Sequence, residues 1–339
     1  MKTLLISAAV FTILGTISAQ KFNRQYMGVA YSPYTDRFDD PQNSPRYWNG
    51  YTESDITAQL AVVRNYFSSI STYGMGTAGY NRGKPWDQCD SNALIARVAA
   101  KMNQQSSTKL NVNIGIYQDE DRDRAIGNAF SAADEANRLS RNTVWGITIT
   151  NEYITTEPRG HEVLNMIKNN KDNARRRGLK IGTRIHVCGE FLGGNLRNVL
   201  GLIARESDFI YCNVYPSNQH AQEGPRSSAI NVIYYFLELQ KAIKRVNPNI
   251  EVIIGETGWP SDGNSFNNSP NSVQNEVIYW KEINTLAVEK RVKVQMFQAI
   301  DEPWKGQNSK DKAERHYGWW TKPRNRENRF IEKETGRAF

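Results

Sequence analysis

Two glutamates, Glu152 in "TITNEY" and Glu256 in "VIIGETGWPS", each stand at the end of a short apolar run. An ionisable group in such a place costs free energy unless it is paired or used. Either one alone reads most simply as a surface residue or a salt-bridge partner. Two of them, each with polar or aromatic companions, are the parts needed to break a glycosidic bond. One carboxyl must be protonated to expel the leaving oxygen, while the other must be ionised to meet an oxocarbenium-like centre. Each carboxylate discourages ionisation of the other, so a single site can hold both states.

The elements that would position them are legible as a rhythm. Apolar runs begin near Tyr26 ("YMGVAYS"), Ser68 ("SSISTYG"), Leu110 ("LNVNIGIY"), Val144 ("VWGITIT"), Leu179 ("LKIGTRIHV"), Asp208 ("DFIYCNVYP"), Glu251 ("EVIIGET") and Lys293 ("KVQMFQAI"). Their spacing, roughly thirty to forty residues, is that of one βα unit. Between them the pattern turns helical. Thr52 with Asp55 makes a capping box, after which Ile56, Leu60, Val63 and Phe67 share a face. Ile230, Ile233, Tyr234 and Leu237 are read as a second face, and Val273, Val277, Trp280 and Ala287 as a third. Eight alternations with no Gly/Ser-rich linker predict an α/β fold, a single closed (β/α)8 TIM barrel over residues 20–339. An open doubly wound sheet is the alternative, but no Gly-rich dinucleotide turn is present. From about Gly306 the chain is polar and basic and lacks a clear eighth helix, so this extension is expected to wrap the barrel or end loosely.

Active residues of such a barrel sit where strands end, on the C-terminal face. The first run ends at Tyr31, the fourth at Asn151 and Glu152, and the sixth at Asn213 and Tyr215. The seventh ends at Glu256, and the eighth at Asp301, Glu302 and Lys305.

With these residues in view, "ITITNEY", "DFIYCNVYP", "VIIGETGWPS" and "FQAIDEPWK" resemble the four signature segments of glycoside hydrolase family 17, the β-1,3-glucanases, in order and over nearly the whole chain. The spacing of the two glutamates is more similar to the shorter fungal glucanases and glucanosyltransferases than to the plant enzymes. The resemblance implies a (β/α)8 barrel with retaining chemistry on β-1,3-glucan, with Glu152 as acid/base and Glu256 as nucleophile. Asn151, Tyr215, Glu302 and Lys305 match family active-site positions. Retention places the carboxyl groups about 5 Å apart, whereas inversion needs roughly 6.5–9.5 Å. Two departures stand out: the family commonly has arginine where Ser71 stands and glycine where Thr150 stands.

Sugar rings stack their apolar faces on aromatic side chains. Tyr31, Tyr34, Tyr215, Trp259, Trp304, Tyr317, Trp319 and Trp320 all fall in expected loops or strand ends, where packing is the competing role. Tyr31, Tyr215 and Trp304 are the favoured substrate contacts, and Trp259 reads equally as buried support. Lys305 beside Glu302 is either a structural ion pair or a holder of a substrate hydroxyl. Asp301 is either a supporting partner or a turn cap. Glu190 is the main rival carboxylate, and His316 reads as a hydrogen-bonded rim histidine. No nucleophile elbow accompanies the histidines, which disfavours esterase chemistry.

The 339 residues carry a formal charge of +8, spread along helical stretches with no nucleic-acid-binding motif, so no nucleic-acid partner is expected. Lys2, the apolar run Leu4–Leu14 and the small pair Ser18 and Ala19 read as a signal peptide spanning residues 1–19, too short to span a bilayer. A secreted protein is expected, extracellular or associated with a cell wall and not inserted in a membrane. Cys89, Cys188 and Cys212 allow one disulfide at most and leave one thiol over. Neither they nor His161, His186, His220 and His316 cluster at zinc-binding spacing, so neither a metal nor another cofactor is expected. Asn267 heads an "NNSP" sequon. The chain thus reads as a monomer acting on β-1,3-glucan polysaccharide or oligosaccharides, endo-acting across an open cleft. The alternatives are a glucanosyltransferase on the same pair and a non-catalytic glucan-binding wall protein.

Overall fold

Eight short parallel strands close on themselves in strict chain order, β1 pairing with β8. They are β1 (Met27–Ala30), β2 (Ser69–Ser71), β3 (Asn111–Ile116), β4 (Val144–Asn151), β5 (Lys180–Ile185), β6 (Phe209–Asn213), β7 (Glu251–Thr257) and β8 (Val294–Met296). All eight coincide with the runs expected from sequence, and the fold is the expected (β/α)8 barrel. The computed structural model describes residues 21–35, 52–74, 91–116, 122–217, 221–263, 269–303, 305, 312–323 and 328–339. The leader, Cys89, His220, Asn267 and Trp304 lie outside them.

Among the described residues seven α-helices form the outer layer: α1 (Glu53–Val63), α2 (Ser91–Gln104), α3 (Arg122–Leu139), α4 (Glu157–Arg176), α5 (Arg197–Glu206), α6 (Pro225–Val246) and α7 (Val273–Lys290). Polar caps fix the starts of three of them. Thr52 makes the expected capping box with Asp55, while Thr156 and Ser272 accept from Arg159 N and Asn275 N at the heads of α4 and α7.

One helical face is rotated from the sequence reading. In α6 the buried stripe is Ala229, Val232, Ile233, Phe236, Leu239 and Ile243, while Ile230 and Tyr234 face solvent. Continued down the helix, the expected stripe meets Lys241 and Lys244, whereas the observed stripe stays apolar to the last turn; the longer stripe wins the sheet. In α7 the expected Trp280 and Ala287 are buried and Val277 packs against the core, joined by Tyr279, Ile283 and Leu286; of the expected face Val273 is exposed.

The chain end closes the gap beside α7. β9 (Trp320–Thr321) and β10 (Ile331–Glu332) pair antiparallel, and Trp319 packs against Trp280 with ring centroids 5.0 Å apart. Buried Lys333 reaches Asp301 at 2.9 Å, Glu276 at 3.4 Å and the Ser261 hydroxyl at 2.7 Å. A disulfide joins Cys188, in the 3-10 turn after β5, to Cys212 in β6. Among the described residues no helix is long and apolar enough to cross a membrane, and no group of His, Cys, Asp or Glu is arranged to hold a metal.

Candidate active site

Register irregularities fall near the C-terminal ends of three strand pairs: between Thr148 and Asn151 in β4, Cys212 and Asn213 in β6, and Ile254 and Thr257 in β7. Such irregularities re-aim side chains at a barrel rim. Here they flank Glu152 and Glu256. Gly255 has no room for a side chain, since a Cβ would stand 2.6 Å from the Tyr211 Cβ and 2.7 Å from Asn213 Oδ1. The close approach of β6 and β7 brings Asn213 into register with Glu256.

Two phenol donors from strand ends and a guanidinium from within a strand converge on Glu256, itself 6% exposed. Tyr73, just past β2, donates to Oε1 at 2.8 Å, and Tyr215, just past β6, donates to Oε2 at 3.1 Å. Nη1 of Arg184, from within β5, stands 3.6 Å from Oε1. Burial, and then the charge of Glu152, raise the Glu256 carboxyl above its ordinary range; Arg184 opposes most strongly, followed by the Tyr73 bond and Lys305. Burial, and then the neighbouring Glu256, push both phenols well up, so Tyr73 and Tyr215 stay protonated donors.

Glu152 is half-buried and built differently. Its backbone N–H donates to the Arg184 carbonyl at 2.9 Å, and its Oε1 accepts from Asn213 Nδ2 at 2.7 Å. Both it and Thr150 adopt left-handed backbone, at φ 53° and 64°. Such a turn favours a residue without a Cβ penalty, and this chain makes it with a β-branched one. The strained pair flanks Asn151, which stands in register with Arg184.

Glu302 and Lys305 form an ion pair of 2.5 Å, with Glu302 almost wholly buried. The Lys305 ammonium sits 4.4 Å from the centroid of the Phe297 ring, whose other neighbours are Tyr215 and Tyr317. The structure thus brings Glu152, Asn151, Tyr215, Glu256, Glu302 and Lys305 to one mouth.

Tyr31 is a correction. It is wholly buried and donates its phenol to Gln59 of α1 at 2.5 Å, so it belongs to the packing and not to a substrate platform. Trp304 is outside the described residues. Trp259, Trp319 and Trp320 are also fully buried, as support. Asp301 accepts from Gly318 N and Lys333, and Glu190 accepts from Leu196 N, so both serve local structure. His316 is half-buried, and burial lowers its affinity for a proton.

Sequence reasoning missed Tyr73 and Arg184. Tyr73 lay within a quoted strand segment and met the same strand-end criterion as Tyr215. Arg184 sits inside "LKIGTRIHV", where a lone guanidinium in an apolar run was itself a signal. A separate cavity of about 410 Å³ opens at the opposite pole, by Arg24, Trp145, Glu251 and Lys293, and holds neither glutamate.

A closed barrel bearing two carboxylates at the C-terminal mouth, one gripped by donors and one reached by a single amide, defines a glycosidase. The chain belongs to the BtgE/BtgC glycoside hydrolase domain family, whose profile matches residues 28–318. It is 31% identical over 117 residues to a glucan 1,3-beta-glucosidase of Candida albicans, a stretch covering 34% of this chain and 37% of that one. A glucan 1,3-beta-glucosidase of Saccharomyces cerevisiae is 32% identical over 121 residues, 35% and 38% of the two chains. The matches therefore span little more than a third of these relatives. Among solved structures, a Rhizomucor miehei beta-1,3-glucanosyltransferase active-site mutant in complex with laminaritriose superposes with a TM-score of 0.60 at 20% identity, covering 88% of this chain and 96% of that one. An endo-laminarinase from Formosa gives 0.64 at 17%, covering 88% and 84%. At those identities the two share its fold.

Proposed function

We propose that this glycosidase is a secreted, retaining, endo-acting β-1,3-glucan hydrolase that works by double displacement. The observation that carries the assignment of roles is the contrast between the two carboxylates. Glu256 faces two phenol donors and a guanidinium, all of which favour its ionised form, as a nucleophile requires. Glu152 accepts a neutral amide and keeps access to water, which suits a group that must give up and regain a proton. In the first step a Glu256 oxygen bonds to the anomeric carbon as the glycosidic C–O bond breaks, and Glu152 passes its proton to the departing oxygen. In the second, the Glu152 carboxylate takes a proton from water, whose oxygen displaces Glu256. Tyr215, Asn151 and Lys305 line the approach and meet the sugar's hydroxyls, and buried Glu302 holds the Lys305 ammonium in place. All these residues come from one chain, so a monomer suffices. The leader-like residues 1–19 and the buried Cys188–Cys212 bridge support an extracellular site of action.

A glucanosyltransferase is the second reading, favoured by the activity named for the Rhizomucor neighbour. It differs only in whether water or a sugar hydroxyl accepts the glycosyl group. Incubation of the protein with laminarihexaose, followed by mass spectrometry and proton NMR of the anomers, tests both. Shorter products released as the β-anomer support retaining hydrolysis, and products longer than the substrate support transfer. Loss of turnover in Glu256→Ala, with azide yielding an α-glycosyl azide, supports the nucleophile. Undiminished turnover by that variant overturns it.

A further inference from the structure

Arg184, near the C-terminal end of β5, is wholly buried within the barrel, a place usually filled by aliphatic layers. Its Nη2 donates to Ser71 Oγ at 2.8 Å, and its guanidinium carbon lies 4.7 Å from the Tyr73 ring centroid and 5.0 Å from that of Tyr211. Those contacts fix the plane of the fork. Its Nε finds no hydrogen-bond partner among the described residues, so the fold alone leaves this charge incompletely satisfied. The carboxylate within ion-pair reach is Glu256, at 3.6 Å. The backbone carbonyl of Arg184 receives the Glu152 amide at 2.9 Å. One residue of β5 therefore touches the side chain of one glutamate and the backbone of the other.

We propose that Arg184 is the positioning residue of this site: its guanidinium, locked by Ser71 and two tyrosine faces, holds Glu256 ionised and in the plane needed for attack. The proposal rests on the reading of Glu256 as nucleophile. The other groups facing Glu256 are Tyr73 after β2, Glu152 after β4, Tyr215 after β6 and Lys305 after β8. Of these, burial and Glu152 favour the protonated carboxyl; Arg184 is the largest influence in the other direction.

The test uses the full chain with 13C-labelled glutamate carboxyls, the Glu256 resonance being the one lost in Glu256→Gln. In Arg184→Gln the Glu256 titration midpoint rises by about one to three pH units, as expected for losing an adjacent cation. On laminarihexaose the acid limb of the pH profile rises with it, and kcat falls on the order of 10²-fold while KM moves little. Arg184→Lys keeps the charge but not the fork, so the midpoint stays near that of the parent while kcat drops about tenfold. A midpoint and acid limb unmoved in a folded Arg184→Gln overturn the proposal. Should that variant not fold, Arg184→Lys decides: a kcat loss at constant KM supports the proposal, and an unchanged kcat overturns it. If the parent protein fails to turn over laminarihexaose, the functional reading falls, and the NMR midpoint still decides the link between Arg184 and Glu256.

Discussion

The side-chain amide of Asn213 donates to Glu152 at 2.7 Å. Asn213 also stands in register with Glu256 across β6 and β7, so a single residue sets the relation between the two carboxylates. Asn213→Ala removes the donor and frees the Glu152 side chain to turn; kcat on a β-1,3-glucan oligosaccharide should fall about tenfold or more, with a small change in KM. Asn213→Asp puts a third negative charge beside the pair. A like charge penalises loss of a proton from Glu152, so the alkaline limb of the pH–rate profile should move upward by about one unit. An unmoved limb in a folded Asn213→Asp would count against Glu152 as the proton donor.

Thr150 holds a φ of 64° beside the Glu152 turn. Its hydroxyl stands 3.3 Å from that of Thr183, so replacement changes contacts as well as backbone preference. Comparing Thr150→Ala with Thr150→Gly isolates the backbone, since both lose the hydroxyl and the branch. At ordinary positions glycine is the less stable of the two by about 0.5–1 kcal/mol. In left-handed backbone the Cβ costs roughly 1–2 kcal/mol, and the order reverses. Urea unfolding should therefore find Thr150→Gly more stable than Thr150→Ala by about 1 kcal/mol or less, the two effects opposing. The ordinary ranking would show that the turn relaxes.

How far the chain could be read without coordinates follows from where each signal lives. Strands buried on both faces must be nearly continuous apolar runs, so all eight were visible, and Glu152 and Glu256 were found by looking just past them. That search misses residues inside a strand, which is where Arg184 lies, and it passed over Tyr73. It also cannot tell which way a side chain turns once the strand ends. Tyr215, the second residue past β6, swings to Glu256, whereas Tyr31, the first past β1, turns to Gln59 of α1. The α6 error has another cause: Ile230, Ile233, Tyr234 and Leu237 form a valid apolar arc over two turns, of which Ile233 is buried, and only the lysines further along show which arc meets the sheet.

Glu256 should cost the fold stability at neutral pH. Its carboxyl binds a proton more readily in the folded chain than in the unfolded one, burial being the main cause. The stabilising contribution of that proton is complete below the unfolded value and is lost as pH rises through the raised folded one. Glutamine mimics the protonated form at every pH. Calorimetry should thus find Glu256→Gln melting above the parent at pH 7, with the gap closing as pH falls toward about 4, where the parent carboxyl is itself protonated. The same variant should be inactive, a trade of function for stability. A gap that widens on acidification would reverse the sign of the argument.

Lys333 links the chain end to the catalytic rim. It is 7% exposed and bonds Asp301 at 2.9 Å and Glu276 at 3.4 Å, the latter fully buried on α7. Burial raises the Glu276 carboxyl well above its ordinary range and Lys333 opposes it, while Asp301 and Glu276 hold the Lys333 ammonium in its charged form against burial. Lys333→Met leaves two carboxyls in the interior without their cation, a loss of about 3–5 kcal/mol for breaking a buried pair from one side. Adding Glu276→Gln and Asp301→Asn removes the stranded groups, and since a buried ion pair is near break-even against neutral packing, the triple variant should regain much of that stability. Urea midpoints at constant m-value would measure both steps. Activity should not follow stability back. Asp301 immediately precedes Glu302 and also accepts from Gly318 N at 2.9 Å, so its charge braces the segment that carries Glu302 and Lys305. A stable but slow triple variant is the expected result; recovery of full kcat would show that the extension supports the fold without steadying the mouth.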